Sequence, residues 1–187
     1  MDIVYAQPLK ELLQISSYFK EQLIVLVKDE AGEKIAKKRE LIPCFIVNEK
    51  TDLNKLKKKR KAVMGGSVKA NEFATKIKAD FLLQPSNEKQ FFDLGLAKKL
   101  AENGTIVVLM FEELLGKNSF DRHLYWKNYL EIVRYCKKKK TKFVVASGCK
   151  EPLNLKPGKV RQSIAQTLGL TNEEAKKALE ELKWYYE

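Results

Sequence analysis

The sequence contains one histidine, His123, and three cysteines, Cys44, Cys136 and Cys149. The cysteines are widely spaced and form no Cys-x-x-Cys pair, which indicates packing residues in a reducing compartment, so we expect a cytoplasmic protein. A hydrolytic metal site needs clustered histidine and carboxylate ligands. His123 lies in a predicted helix and not after a strand. The sequence places no histidine where it could act as a base for Cys149. The sequence therefore predicts no metal ligand and no catalytic residue.

Long apolar runs and nucleotide-binding loops are also missing. No run approaches the roughly 18 apolar residues that a membrane-spanning helix needs, so we expect no membrane contact. The first residues lack the basic and apolar regions of a signal peptide. Gly65-Gly66 precedes a helical pattern, but it has neither the GxGxxG spacing nor the lysine of a P-loop. No low-complexity linker occurs, and the 187 residues predict a single domain, 1–187.

Short apolar segments instead alternate with amphipathic helical patterns along the whole chain. The segments read as strands at residues 2–6, 23–27, 41–47, 61–64, 79–83, 105–111 and 142–147. Helical patterns occupy residues 29–38, 52–60, 68–77, 93–102, 120–139, 159–168 and 171–184, and another begins at Gln7-Pro8. Continuous apolar strands are typical of parallel sheets, which are covered on both faces. We predict an α/β fold, a TIM-barrel-like (β/α) barrel of about seven parallel strands, closed or incompletely closed. A doubly wound open sheet is the alternative, because periodicity does not separate the two.

The basic charge is large and unevenly distributed. Lysine and arginine number 36 against 24 aspartate and glutamate, and residues 134–161 hold ten basic residues against Glu151 alone. Dense clusters at 57–61 and 137–142 close helices and lead into strands, which places them on the amino-terminal rim of a barrel. Lysines near helix ends also serve as caps, but this excess exceeds what capping requires. Because lysine favours phosphate contacts, we predict RNA binding. The predicted RNA-binding residues are Lys57, Lys58, Lys59, Arg60, Lys138, Lys139, Lys140 and Arg161.

Six segments carry a family resemblance by their order and spacing. They are GGSVKAN, ADFLLQPS, DLGLAKKLAENGTIVVLMF, KNYLEIVRY, KFVVASG and LGLTNEEAKKAL. Together, over residues 63–179, they resemble archaeal ribonuclease P protein component 3, the family of the eukaryotic thirty-kilodalton subunit. The matching motif residues are Gly65, Gly66, Asn71, Asp80, Pro85, Asp93, Gly95, Asn128, Ser147 and the segment 168–175. The chain departs from the family pattern at Glu72, Leu94 and 148–150, where the family has arginine, serine and Ser-Asp-Ala.

The resemblance implies a TIM-barrel-like fold and a non-catalytic subunit of ribonuclease P. In that family the RNA subunit uses Mg²⁺ to remove the 5′ leader of precursor tRNA, so no cofactor is expected on this chain. The implied partners are the ribonuclease P RNA and protein component 2, with two such pairs forming a heterotetramer. Precursor tRNA would be contacted only indirectly.

Two other functions remain open at this point. A metal-dependent phosphoesterase-like barrel enzyme would require tight zinc or manganese binding. A basic protein-interaction module without an RNA role would bind its partner with little dependence on salt. Candidate contacts with a protein partner are Trp184, Tyr185 and Tyr186, together with Tyr125 and Trp126 on the long helix. For the last two, core packing is the favoured role, since aromatic residues at helical spacing usually point inward.

Overall fold

Seven parallel strands lie in chain order in a single sheet, each hydrogen-bonded to the next. The computed structural model describes residues 1–5, 9–19 and 22–182. The strands are β1 (Asp2–Tyr5), β2 (Leu23–Val27), β3 (Ile42–Val47), β4 (Lys61–Met64), β5 (Phe81–Leu83), β6 (Ile106–Met110) and β7 (Phe143–Ala146). Gly148 N donates to Ile3 O at 2.9 Å and Tyr5 N donates to Cys149 O at 3.2 Å, so the first and last strands nearly close a barrel. The predicted TIM-barrel-like fold is confirmed, and the doubly wound sheet is excluded.

Eight α-helices surround the strands in the described part of the chain. They are α1 (Leu9–Phe19), α2 (Glu30–Lys38), α3 (Val68–Lys76), α4 (Leu94–Asn103), α5 (Glu112–Leu115), α6 (Ser119–Lys139), α7 (Gly158–Thr167) and α8 (Asn172–Glu180). Side chains of Asp29, Ser67, Asp93, Asn118 and Thr171 accept hydrogen bonds from backbone N–H groups of the first turns of α2, α3, α4, α6 and α8. These caps define where the helices begin. No described helix combines the length and apolar character needed to cross a bilayer.

The predicted helix at 52–60 is wrong. Only the 3₁₀ turn Leu53–Leu56 forms there, and residues 57–60 lead into β4 without regular structure. Leu53 and Leu56 give this segment too little apolar surface to hold an α-helix against the barrel, and consecutive lysines repel each other. A second 3₁₀ turn, Pro152–Asn154, was not predicted. The predicted helix at 171–184 ends at Glu180, and its last two residues, 183 and 184, lie outside the described residues. So do residue 6, the predicted end of the first strand, and Gln7-Pro8, the predicted start of the first helix.

Alternate residues of each strand face two separate apolar layers. Ile24 and Leu26 of β2 pack inside the barrel, whereas Leu23, Val25 and Val27 pack between the sheet and the helices. This double burial explains why the strands read as continuous apolar runs. Leu182, just beyond α8, is also buried in the inner cluster.

A buried ion pair fastens the seam between the first and last strands. Asp2 is 0% exposed and Arg161, on α7, is 1% exposed. Asp2 Oδ1 accepts from Ile3 N and Ser147 N, each at 2.8 Å, and lies 3.6 Å from Arg161 Nη1. Arg161 also donates to Met1 O at 2.8 Å and to Lys156 O at 3.1 Å. The prediction that Arg161 contacts RNA is therefore wrong, because its guanidinium is occupied inside the protein.

Removing this guanidinium leaves a buried carboxylate without its cation. We expect Arg161→Met to lower the free energy of unfolding by about 3–5 kcal/mol, measured by urea denaturation. Lys159→Met, at an exposed position of the same helix, should change it by less than about 0.5 kcal/mol. Equal stability of the two variants would show that the pair does not hold the seam.

Candidate nucleic-acid interface

At the carboxyl ends of the strands, where barrel enzymes carry their chemistry, Tyr5, Lys150 and Glu113 lie together. Lys150 Nζ lies 3.1 Å from Glu113 Oε1 and 5.4 Å from the centre of the Tyr5 ring. Burial, and then the nearby Glu113 and Glu112 carboxylates, raise the pKa of Tyr5 to about 12, so the phenol stays protonated. Among the described residues, histidine, cysteine and carboxylate side chains form no group of three that could hold a metal ion.

The cysteine nearest this end of the barrel is a packing residue. Cys149 is buried, and its pKa is raised to about 12 by burial and then by Asp2 and Glu112. Burial also raises the pKa of Cys44 and of Cys136. Since the thiolate is the nucleophilic form, these buried thiols are inert at neutral pH.

The basic residues collect at the opposite, amino-terminal rim of the barrel. A groove of about 770 Å³ lies where β4 and β5 begin, and the acids that line it among the described residues are Glu33 and Asp80. Its basic residues are Lys37, Lys57, Lys58, Lys59, Arg60, Lys61 and Lys78. Sequence reasoning missed Lys78, which sits with φ 50° at the junction of α3 and β5. Its position just before a strand is the signal that would have found it.

The two acids of this rim groove are occupied within the protein. Glu33 lies 2.8 Å from Lys37 Nζ and 2.7 Å from Lys59 Nζ, and these two hydrogen bonds, that of Lys37 first, lower the pKa of Glu33. Asp80 Oδ2 accepts from the backbone N of Lys61 at 2.8 Å. Lys59 also lies 4.8 Å from the centre of the Phe45 ring, which anchors it.

Three lysines of the groove, Lys57, Lys58 and Lys78, are exposed and have no carboxylate within ion-pair distance among the described residues. Glu33 is already paired with Lys37 and Lys59, and the seven basic residues of the groove exceed its two described acids, so the groove carries a net positive charge.

The second predicted cluster ends α6, on the same rim but beyond β5 and β6. Lys137 lies 2.8 Å from Glu174 and Lys142 lies 3.0 Å from Glu181, so these two hold α8 against the barrel. Lys138 and Lys140 are exposed, and Lys139 is half-buried. Lys140 ends the helix with φ 56°. The structure thus brings seven of the eight predicted RNA-binding residues to one rim, in two separate clusters.

The motif residues of the resemblance have a different role, since several of them fix the loop that follows β5. Asn71 Nδ2 donates to Pro85 O at 2.8 Å and to Phe91 O at 3.0 Å. A Cβ on Gly65 would lie 2.6 Å from Asn71 Oδ1 and 2.7 Å from Pro85 Cα, so only glycine fits. Gly66 has φ +86°, where glycine is strongly favoured.

The same loop is tied to α6. Asn128 Nδ2 donates to Asn87 O at 2.7 Å, and Asn87 Nδ2 donates to Gly66 O at 3.0 Å. Gln84 accepts from Met110 N at 3.0 Å and donates to the hydroxyl of Tyr129, which itself donates to Met110 O at 2.9 Å. Sequence reasoning missed Gln84 and Tyr129. A polar residue ending a buried strand and a tyrosine on the buried face of a helix were the available signals.

The remaining motif residues cap or join elements. Asp93 accepts from Leu96 N at 2.7 Å at the start of α4, and Gly95 is exposed in the first turn of that helix. Ser147 is buried, and its hydroxyl accepts from Lys156 N at 2.9 Å. Asp80, which also matches the motif, fixes the start of β4 through Lys61. None of these contacts belongs to a reacting group.

The family model for RNase P subunit p30 matches residues 45–183 of this sequence. The chain belongs to the RNase P subunit p30 family. A family of RNase P protein subunits agrees with a barrel that has a paired carboxyl end and a basic rim. No curated protein matches the sequence significantly.

A solved structure shows the same fold. A chain in the cryo-EM structure of archaeal Ribonuclease P with mature tRNA has a TM-score of 0.79 and 18% identity, covering 98% of this chain and 88% of that chain. At this identity the likeness shows the fold alone. The crystal structure of an uncharacterized protein is less similar, with a TM-score of 0.48 and 12% identity over 88% of this chain and 44% of that chain.

The aromatic residues proposed for a protein partner divide into two groups. Tyr125 is buried in the outer core layer and Trp126 packs against that layer, so both stabilise α6. Trp184, Tyr185 and Tyr186 lie outside the described residues.

The buried thiols give a direct prediction. We expect all three cysteines to react with a disulfide reagent at about pH 8 at least about a hundred times more slowly in the folded than in the unfolded protein. The reaction should accelerate only as the pH approaches the raised pKa values. The reaction is monitored by the absorbance of the thiolate that the reagent releases, with and without guanidinium chloride. Rapid reaction of one thiol in the folded protein would contradict its burial.

The loop after β5 gives another prediction. Asn71→Ala leaves two backbone carbonyls without their donor, so we expect a loss of about 1–3 kcal/mol in the free energy of unfolding. Amide hydrogen exchange should increase in residues 85–92. The exposed Asn54→Ala serves as the control and should change neither quantity. Unchanged exchange in the Asn71 variant would show that the loop is held by other contacts.

Proposed function

We propose that this RNase P protein subunit is a non-catalytic scaffold that binds the ribonuclease P RNA through its basic rim. The observation that carries the proposal is the internal use of both acids of the rim groove, Glu33 and Asp80, while Lys57, Lys58 and Lys78 remain exposed. Such a groove favours a polyanion over a protein surface of mixed charge.

The type of basic residue favours contacts with the phosphate backbone. Lysine is a compact charge on a flexible stem, whereas base recognition usually uses the planar, bidentate guanidinium of arginine. Six of the seven basic residues of the groove are lysines. The scaffold would therefore recognise the shape and charge of a folded RNA and not its sequence.

The division of labour follows from the other end of the barrel. There Lys150 is paired with Glu113, Tyr5 and Cys149 are protonated, and no described nucleophile contacts a base. We assign the chemistry of 5′-leader removal to the RNA, with the Mg²⁺ that the RNA binds, and no cofactor to this chain. Precursor tRNA would be contacted through that RNA, in the cytoplasm.

The family resemblance supports a specific protein partner. We propose that the chain pairs with ribonuclease P protein component 2 and that two pairs assemble as a heterotetramer on the RNA. The heterotetramer would present two copies of the basic rim to one RNA, which raises the effective concentration of the second rim after the first has bound.

Reconstitution tests the scaffold function. Cleavage of precursor tRNA by the RNA with component 2 at limiting Mg²⁺ should increase when this chain is added. The double variants Lys57→Glu/Lys58→Glu and Lys138→Glu/Lys140→Glu should abolish this increase. RNA affinity should fall most at low salt, and the slope of log affinity against log salt should decrease by about one for each phosphate that the variant no longer binds.

The control variant Lys10→Glu/Lys28→Glu carries the same charge change on exposed lysines at the carboxyl end of the barrel. It should behave like the parent protein. If the control variant loses as much activity as the rim variants, net charge and not the rim determines binding. If the RNA is indifferent to the parent chain itself, the scaffold proposal fails.

A further inference from the structure

Six exposed side chains lie in one line along the outer face of α6. We name this set the α6 stripe, and its members are Phe120, His123, Lys127, Leu130, Arg134 and Lys138. Successive members are three or four residues apart, so the helical repeat places them on one side. The opposite side carries the buried Tyr125, Tyr129 and Ile132. At a rise of 1.5 Å per residue the stripe is about 27 Å long.

The charge of the stripe has one sign. Lys127, Arg134 and Lys138 contribute cations, and no member is acidic. The two acids that flank it are held by neighbours. Glu131 accepts from Gln90 Nε2 at 3.0 Å, and Asp121 accepts from Asn118 Nδ2 at 2.8 Å. Both acids keep their charge, so the three cations of the stripe outnumber the flanking acids by one, and the basic charge is densest toward the rim, at Arg134 and Lys138.

Phe120 occupies an unusual position at the start of the stripe. It is 70% exposed, although its backbone is firmly placed. Asn118 caps the helix through Asp121 N at 2.9 Å, and Arg122 donates to Leu114 O at 3.2 Å and to Lys117 O at 2.9 Å. An exposed aromatic ring on an ordered helix start, on a helix that also carries cations, is a surface on which an unpaired nucleobase can stack.

The stripe is continuous with the basic rim. The last turn of α6 carries Lys137, Lys138 and Lys139, and the helix runs from the carboxyl end of the barrel to the amino-terminal rim. An RNA bound at the rim would thus find further cations along α6, at Arg134 and Lys127.

We propose that the α6 stripe binds a single-stranded RNA segment, with one unpaired base stacked on Phe120 and phosphates at Lys127 and Arg134. This inference rests on the proposed scaffold function and adds a defined contact to it. A protein occupant is less well supported, since only Phe120 and Leu130 are apolar on a stripe of six, and stable protein interfaces bury a larger apolar centre.

Substitution of Phe120 tests the stacking contact. In a binding assay with the ribonuclease P RNA and component 2, Phe120→Ala should weaken binding roughly 5- to 100-fold, largely independently of salt. Phe120→Trp should bind as the parent does, whereas Phe120→Leu should resemble the alanine variant. Leu153→Ala removes another exposed apolar side chain, 84% exposed on the second 3₁₀ turn, and should have no effect.

Two further measurements separate stacking from general charge. Lys127→Glu/Arg134→Glu should weaken RNA binding in a salt-dependent way. Chemical probing of the RNA should show at least one unpaired nucleotide that the parent protects and the Phe120→Ala variant does not. These positions are exposed, so the variants should unfold at the urea concentration of the parent.

Each contrary outcome has a distinct meaning. If the stripe variants bind RNA normally while the rim variants do not, the inference is overturned and the scaffold function stands. If they bind RNA normally but fail to pair with component 2, the stripe is a protein-docking surface, which also overturns the inference. Parent-like binding by Phe120→Leu would refute base stacking. Parent-like RNA binding by both the rim variants and the stripe variants would overturn both proposals.

Discussion

Closure of a seven-stranded barrel is the constraint on which the rest of this structure depends. The first and last strands meet through only two backbone hydrogen bonds, from Gly148 and Tyr5, among the described residues. Asp2 strengthens this seam by accepting Ser147 N, and Arg161 ties the carboxylate to α7. Because α7 and α8 pack together and against β7, the terminal helices are fixed by the same contact. Breaking the seam would release both the inner core layer and the segment that carries Leu182.

The barrel gives its two ends different electrostatic characters. At the carboxyl end, charges pair within the protein, as Lys150 does with Glu113. At the amino-terminal rim, the acids are bound internally and lysines remain. A buried Asn71 and the glycine beside it shape the loop after β5 without offering a reactive group. The motif residues of the family therefore maintain the loops of the barrel, while the less regular lysine clusters carry the proposed contact with RNA.

Much of the fold was predictable because double burial of strands and helix caps leave local signals. The strand at 23–27 was predicted to the residue, and the helix predicted from residue 171 begins there, where Thr171 and Glu174 form a capping box. Arg161 was misjudged, because a buried arginine and a surface arginine look alike until a partner far away in the sequence, Asp2, is placed beside it. The helix predicted at 52–60 was wrong for a related reason. Two leucines at helical spacing do not show whether the barrel offers an apolar surface that could cover them. Lys78 and Gln84 each stood at one end of a strand in the sequence, but the residues they act with, such as Lys57 for Lys78 and Tyr129 for Gln84, lie far away along the chain.

Capping and RNA binding are complementary explanations for the lysines of the rim. In a βα barrel the helices run opposite to the strands, so their carboxyl ends converge on the amino-terminal rim. The helix dipole and unsatisfied carbonyls favour cations there, and the last turn of α6 carries Lys137, Lys138 and Lys139. A fold that collects capping lysines on one rim is already attractive to a polyanion. Because Glu33 and Asp80 are bound internally, additional lysines such as Lys57 and Lys58 increase that attraction without meeting an acid. The basic rim therefore combines two sets of lysines, those favoured at helix ends and those that add further positive charge.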